Sequence, residues 1–194
     1  MRSILRPGPP SPDAPPLAPR TFEGYDLRFF DDLGEMHDAI RERDAEHGLA
    51  RLVAGYAWEW KSKSDPTAYD IELDGRQLRW NTSATDWIAS KTSLDEVGSI
   101  HTVQGYDLYY AGVIIGNDLH WDEDAQRLIV DRDSYFDKKG KENNPTLGKT
   151  ASDEDLLRYV CNVYAVLMTR GIRGTYLHFC DSALEHVFAR ALGP

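Results

Sequence analysis

Polar side chains suited to binding a phosphate or a sugar follow an apolar segment in the stretch HTVQG, residues 101–105. In open α/β sheets, ligands bind beyond the carboxyl ends of the strands, so residues placed directly after a buried strand are candidates for function. Thr102 offers a hydroxyl group, Gln104 offers an amide, and Gly105 lets a ligand or another backbone segment come close. The same pattern also fits an ordinary junction between a strand and a turn, and the residues alone leave both interpretations open.

A second candidate is the stretch VLMTRGIRG, residues 166–174, in which Thr169 and Arg170 close a predicted helix and Gly171 breaks it. An arginine in the last turn of a helix commonly only complements the helix dipole. A guanidinium group held at a helix end also presents a planar, permanently charged fork to a phosphoryl group. The presence of both stretches in one chain favours a phosphate-binding role for Arg170.

The stretch NNPTLGKT, residues 143–150, resembles the phosphate-binding pattern G-x-x-x-x-G-K-[ST], with Asn143 in place of the first glycine. A phosphate loop follows directly on a buried strand, whereas the polar stretch DKKGKE precedes this one. The next predicted helix also opens with three acidic residues, which would repel a polyphosphate. We therefore do not expect a phosphate loop here, and a small phosphotransferase using Lys149 and Thr150 is the weaker alternative.

Three potential metal ligands, His178, Cys180 and His186, lie close together in the sequence, but no second pair of ligands has the usual spacing. A structural role is expected for them, and no metal site is predicted. The acidic residues show no nuclease pattern of paired carboxylates with a lysine, and no serine, histidine and aspartate are ordered convincingly for nucleophilic catalysis.

Trp58 and Trp60 lie beside Lys61 and Lys63 in the stretch YAWEWKSK, at the end of a predicted strand. Tryptophan rings stack on nucleobases, and lysines neutralise phosphates, so this pattern is typical of single-strand binding. Two tryptophans on one strand face are equally typical of a core. The sequence leaves the two interpretations balanced.

The elements that must position these residues alternate between apolar runs and amphipathic helical stripes. Such alternation predicts a three-layer α/β domain with a mostly parallel sheet of about five strands. The predicted strands are 25–30, 50–60, a segment running into Gln104-Gly105, 113–115, 127–131 and 174–181, with an inserted hairpin or loop within 61–95. The predicted helices contain Leu33, Met36 and Ile40 up to Gly48, then run from a Ser152–Asp155 capping pair, and finally over Ser182–Leu192.

Composition sets further bounds on the 194-residue, 22.0 kDa chain. Seven prolines fall within residues 7–19, which predicts a disordered tail over residues 1–20 and one domain over 21–194. The net charge of −10 argues against a generally basic nucleic-acid coat, so any such contact must be local. No segment reaches the roughly 18 apolar residues of a membrane span, and two cysteines suit a reducing cytoplasm. We expect a cytoplasmic protein without membrane contact.

Taken together, the stretches IHTVQGYDLYYAGVIIG and NVYAVLMTRGIRGTYLHFCD resemble the C-terminal part of the Schlafen group 3-like DNA/RNA helicase family, which is related to superfamily 1 helicases. The stretches RLVAGYAWEWKSK and LGKTASDEDLLRYVCNVY are similar to the same family, so the resemblance covers about residues 22–192. It implies a RecA-like domain, the second of the two that clamp a nucleotide between them in such motors.

The resemblance also implies roles for individual residues. The stretch HTVQGYD matches motif V, which places Thr102, Gln104 and Gly105 at the nucleic acid and the interdomain cleft and Asp107 near the nucleotide ribose. The stretch VLMTRG matches motif VI, in which Arg170 would be the arginine finger that stabilises charge on the γ-phosphate. The chain departs from the pattern at Asp107, where glutamate is usual, and at Tyr109, where an acidic residue is common.

We therefore expect the second motor half of a helicase-like ATPase, without the phosphate loop and the magnesium-binding acidic motif of a first RecA-like domain. Such a domain would be inactive alone and would use ATP and Mg²⁺ only when a Walker-type ATPase domain completes it. Single-stranded DNA or RNA is the expected polymer ligand. The alternative is a non-catalytic module that binds nucleic acid or a protein through the region of residues 58–63 and Gln104.

Overall fold

The computed structural model describes residues 5, 23–83, 85–137 and 152–192. These residues form nine strands, three α-helices and one short 3-10 turn at Trp87–Ala89. The strands are β1 (Asp26–Phe29), β2 (Ala50–Ala54), β3 (Ile71–Leu73), β4 (Arg76–Trp80), β5 (Glu96–Ser99), β6 (Leu108–Ile115), β7 (Leu119–Asp122), β8 (Arg127–Val130) and β9 (Gly171–Phe179). The helices are α1 (Leu33–His47), α2 (Asp153–Leu167) and α3 (Ser182–Leu192).

Seven of the described strands form one sheet in the order β1-β9-β6-β2-β5-β4-β3. Six of them run parallel, and β3 pairs antiparallel with β4 as the hairpin expected within residues 61–95. Strands β7 and β8 form a separate antiparallel pair. The predicted α/β class with a mostly parallel sheet is confirmed, although the sheet has seven strands rather than about five.

Successive residues of the parallel strands are buried on opposite faces, which produces a three-layer arrangement. On β6, Ala111, Val113 and Ile115 belong to the apolar cluster that α2 and α3 cover. Tyr110 and Ile114 belong to the cluster that α1 covers. Burial on both faces explains why these strands read as continuous apolar runs rather than as alternating ones.

The helix boundaries follow from their caps. Ser152 caps α2 with its side chain on the Asp155 amide, and the Asp155 carboxylate accepts from the Ser152 amide in return, which confirms the predicted pair. Helix α1 ends at Gly48, which has a φ of +73°. Residue 5 is the one residue of the predicted tail that the structure describes, and Leu5 is buried in the cluster beneath α2 and α3.

Several predicted strand limits are wrong. Strand β2 ends at Ala54, and residues 55–60 form a loop. In this loop Trp58 and Trp60 pack against Trp80 of the hairpin, and the backbone does not continue the strand. Strand β5 ends at Ser99, well before Gln104, and β6 starts at Leu108 rather than at Val113. The last strand, predicted from residue 174, already begins at Gly171.

Candidate functional site

The connection between β5 and β6 crosses the sheet without a helix. Ser99 pairs with Ala54, which also pairs with Ile114 near the end of β6, so β5 ends at the carboxyl edge of the sheet. Leu108, where the connection ends, pairs with Gly171 at the start of β9 and therefore lies at the amino edge. Residues 100–107 thus run from one edge to the other, and Val103 anchors them in the core beneath α2. We expected a loop confined to the carboxyl edge, and this expectation is wrong.

Arg170 lies at the amino edge, three residues beyond the end of α2 rather than in its last turn. Its Nε donates to the Val166 carbonyl oxygen at 3.3 Å, and its Nη1 donates to the Tyr106 carbonyl oxygen at 3.4 Å. Its own carbonyl oxygen accepts from the Leu108 amide at 2.9 Å. These contacts bind Arg170 to the segment that the sequence singled out separately.

The structure therefore brings Arg170 close to Asp107, one of the predicted nucleotide-binding residues. The Asp107 carboxylate lies 3.8 Å from Arg170 Nη1, and Gln104, Gly105 and Asp107 are exposed in the same segment. Gly105 has a φ of +84° and open space where a Cβ would be, so this position requires glycine for its backbone conformation and not for packing.

We call Arg170 and Asp107, together with the carbonyl groups of Val166 and Tyr106, the amino-edge site. Its cation, the Arg170 guanidinium, is held mainly by these two neutral carbonyl groups. A guanidinium bonded to carbonyl oxygens keeps its full positive charge, and Asp107, at 3.8 Å and with two thirds of its side chain exposed, screens it only weakly. About a quarter of the Arg170 side chain is exposed. The site can therefore receive an anionic oxygen that approaches from outside the domain.

Three large, mostly apolar residues lie at the same edge of the sheet as Arg170. Leu49 precedes β2, Tyr106 lies two residues before β6, and Ile172 lies at the start of β9. They are 43%, 41% and 59% exposed, so this edge carries three of the five large hydrophobic side chains that are exposed among the described residues. Exposed apolar residues around a functional cation are typical of a surface that another domain covers.

Thr102 lies apart from Arg170, at the carboxyl edge. Its hydroxyl accepts from the Ser99 amide and donates to the Asn81 Oδ1 atom, each at 2.9 Å. Ser99 ends β5 and Asn81 follows β4, so Thr102 ties together the ends of two neighbouring strands. Thr102 is therefore at the opposite edge of the sheet from Asp107 and Arg170.

Trp58, Trp60, Lys61 and Lys63 lie in the loop after β2, at the carboxyl edge and not on a strand face. Both tryptophan rings pack against the buried Trp80 ring, with centroid distances of 6.5 Å and 6.0 Å. Lys63 Nζ lies 5.6 Å from the centroid of the Trp60 ring, and both lysines are exposed. The tryptophans therefore have features of both interpretations: they cover the core, and they also border an exposed loop with two lysines that could contact a single strand.

The sequence did not indicate two groups of residues at the carboxyl edge. The first contains Tyr56, His101 and Phe136, which are brought together from distant segments without any local pattern. The second is centred on Asp118, which is fully buried and accepts from the Tyr164 hydroxyl at 2.6 Å. An apolar run that ends in asparagine and aspartate was the available signal for Asp118.

The remaining candidates do not form a site. His178 is buried and bonded to the Phe30 carbonyl oxygen at 2.9 Å, as expected of a structural residue. Within the described ranges, no three histidine, cysteine or acidic side chains are grouped in a way that could hold a metal ion. The stretch at residues 143–150, with Lys149 and Thr150, lies outside the described residues. None of the described helices is long and apolar enough to cross a membrane.

The fold and the two stretches agree with a match over residues 11–181 to the family model described as Schlafen group 3, DNA/RNA helicase domain. The chain belongs to this family, and its domain is related to helicase domains. It is 30% identical over 173 residues to the uncharacterized protein YPL245W of Saccharomyces cerevisiae. That similarity covers 87% of this chain but 37% of the yeast protein. No solved structure matches the chain significantly.

Proposed function

We propose that this domain is the second motor half of a superfamily 1-like DNA/RNA helicase or ATPase, and that Arg170 is its arginine finger. The proposal rests mainly on two contacts of Arg170 Nη1: its hydrogen bond to the Tyr106 carbonyl oxygen, and its 3.8 Å distance from Asp107 Oδ1. Two stretches that resemble motifs V and VI, 60 to 70 residues apart, meet at one edge of one sheet. Membership in a helicase-domain family supports the same assignment.

In this proposal the amino-edge site is half of a nucleotide site. Bound ATP with Mg²⁺ supplies a γ-phosphoryl group whose negative charge must be stabilised during transfer. Arg170 stabilises that charge, while Gln104, Gly105 and Asp107 line the nucleotide beside it. The phosphate loop and the magnesium-binding acidic residues come from a Walker-type domain outside the described residues, on the same polypeptide or on another. Leu49, Tyr106 and Ile172 supply apolar surface for the contact.

The nucleic acid lies along the carboxyl edge in this proposal. Lys61 and Lys63 neutralise phosphates, the edges of Trp58 and Trp60 contact bases, and Thr102 faces the backbone of the strand. Support comes from the course of residues 100–107, because one segment joins this edge to Arg170. A change in the contacts between this segment and the nucleic acid would then alter its contacts with the nucleotide.

Reconstitution tests the proposal. The chain is mixed with a separately expressed Walker-type domain of a Schlafen group 3 helicase, and ATP turnover is measured. The mixture should turn over ATP, and Arg170→Ala should lower the rate by about 10³-fold or more, as for other arginine fingers. Arg173→Ala is the matched control, since it removes the same charge from an exposed arginine three residues away that lies over the Tyr109 ring. Unchanged turnover with Arg170→Ala would refute the assignment.

A non-catalytic binding module is the second candidate, favoured by the aromatic and cationic surface that the carboxyl edge forms without any further domain. It predicts oligonucleotide or protein binding and no turnover in the mixture. The phosphotransferase alternative predicts turnover by the chain alone that survives Arg170→Ala and disappears with Lys149→Ala.

A further inference from the structure

Three aromatic residues from distant parts of the chain lie at the carboxyl edge. The Tyr56 ring, after β2, lies 5.8 Å from the His101 ring, after β5, at an interplanar angle of 44°. The Phe136 amide donates to the Tyr56 carbonyl oxygen at 2.7 Å, which places the Phe136 backbone beside that of Tyr56. His101 and Phe136 are exposed, and Phe136 keeps 43% of its surface in solvent. We call Tyr56, His101 and Phe136 the aromatic edge cluster.

The aromatic edge cluster differs from the neighbouring tryptophans in what its rings face. Trp58 and Trp60 are half-buried and pack on Trp80, which is fully buried. Tyr56 also contacts the Trp80 ring, at 5.7 Å, so the same core supports it from below. The exposed His101 ring lies against Tyr56 on the solvent side, and the Phe136 residue beside them is exposed as well. The exposed aromatic surface available for stacking at this edge therefore belongs mainly to residues that the sequence did not indicate.

Hydrogen bonds hold the turn that carries His101. The turn that contains His101 is closed by bonds from the amides of Thr102 and Val103 to the Ser99 carbonyl oxygen, at 3.0 Å and 3.3 Å. The Thr102 hydroxyl adds its contacts with Ser99 and Asn81. An aromatic side chain on a fixed turn loses little further entropy when a planar ligand stacks on it.

Charges around the cluster decide which kind of ligand fits. Lys61 and Lys63 are exposed in the loop that follows Tyr56, but Glu59 is exposed in the same loop. Asp137 is also near and helps burial to raise the pKa of Tyr56. Because these acidic groups offset the lysines, attraction to phosphates alone is modest here. A ligand with planar rings gains from stacking as well as from charge.

We propose that the aromatic edge cluster is a stacking site for an unpaired nucleobase of single-stranded nucleic acid. This inference rests on the nucleic-acid role proposed above, to which it adds the residues that hold a base. Stacking on an aromatic ring needs an exposed base face, and paired bases inside a duplex do not offer one. The site is therefore selective for single strands and tolerant of base identity, since every base has a π-face.

The test compares binding of two fluorescent 12-nucleotide strands to the 194-residue chain by fluorescence anisotropy. One strand is oligothymidylate, and the other has the same phosphates with abasic sugars. His101→Ala and Phe136→Ala should each weaken binding of oligothymidylate by about five- to a hundredfold and leave the abasic strand unaffected. Both positions are exposed, so the variants should fold, as thermal unfolding verifies. His186→Ala, which removes an exposed imidazole on α3, is the matched control.

The outcomes separate this inference from the proposed function. Lys61→Ala should weaken both strands equally, because it removes a phosphate contact. Equal losses on both strands with His101→Ala and Phe136→Ala, or no loss on either, would overturn the stacking site while oligonucleotide binding by the unaltered chain still supports the nucleic-acid role. If the unaltered chain bound neither strand, both ideas would fail for this edge, whereas the reconstituted ATPase would still test Arg170 by itself.

Discussion

At the level of single residues, Arg170 serves the end of helix α2 and the crossing segment at once. Its bond to the Val166 carbonyl at the end of the helix adds to those that this oxygen accepts from the amide and hydroxyl of Thr169. Its bond to the Tyr106 carbonyl fixes the segment that precedes β6. The two interpretations of this arginine in the sequence are thus compatible, because one guanidinium has enough donors for structural contacts and for a ligand.

Asp118 is a buried acid whose state depends on pH. Its Oδ1 atom accepts from the Tyr164 hydroxyl, while Oδ2 is buried with no hydrogen-bond partner among the described residues. Burial disfavours the charged carboxylate and raises the pKa of Asp118 from its ordinary value of 3.8 to about 7. We expect the carboxyl group to be protonated in the folded protein below neutral pH.

The sign of the pH dependence follows from this raised pKa. The unfolded chain releases the proton near pH 4, and the folded protein holds it until about pH 7. Asp118 therefore stabilises the fold fully below about pH 4, and this contribution, on the order of a few kcal/mol, is lost as pH rises to about 7. Above that pH no further loss is expected from this group.

Thermal unfolding at pH 5 and pH 8 checks this prediction. The difference in Tm between the two pH values should shrink with Asp118→Asn, because an amide does not titrate. Asp124→Asn, in the exposed turn between β7 and β8, is the control and should leave the difference unchanged. The account of Asp118 is wrong if Asp118→Asn keeps the full pH dependence.

At the level of secondary-structure elements, helix α2 illustrates what local sequence can establish. Its capping box and apolar stripe are both local signals, since they depend on residues three or four apart, and both were predicted. Strand limits were predicted less well. Whether residues 55–60 pair or turn depends on Trp80 in another strand, and no pattern within the segment carries that information.

The capping box gives an element-level prediction. Ser152→Ala removes the acceptor for the Asp155 amide at the start of α2, and should lower the free energy of unfolding by about 1 kcal/mol. Urea denaturation followed by circular dichroism measures the change. Ser64→Ala, whose hydroxyl makes one exposed bond within a loop, should cost only a few tenths as the control. Equal effects of the two substitutions would show that the cap does not stabilise the helix.

At the level of the whole molecule, the α/β class was predictable because buried parallel strands and amphipathic helices leave distinct patterns. The short strand β5 was harder to delimit, since it contains the polar residue Glu96, which pairs with Arg79 of β4 within the sheet. The meeting of Arg170 with residues 104–107 was expected only from the family resemblance. The aromatic edge cluster was not expected at all, because its members are 35 to 80 residues apart and meet only in the fold.

We propose different roles for the two edges of the sheet. The amino edge would carry a cation that acts on a phosphate held by another domain, and the carboxyl edge would bind a single strand. The separation requires that the described domain lack the groups that hold triphosphate and Mg²⁺. Residues 143–150, with Lys149 and Thr150, are excluded from that role by their sequence context, and this exclusion remains a prediction.

Turnover and binding of magnesium ATP by the purified chain alone test the central claim most directly. Steady-state phosphate release and titration calorimetry should show no measurable turnover and only weak binding, because Arg170 by itself holds one phosphoryl oxygen and not a nucleotide. Tight binding of magnesium ATP with sustained turnover by the chain alone would contradict the account.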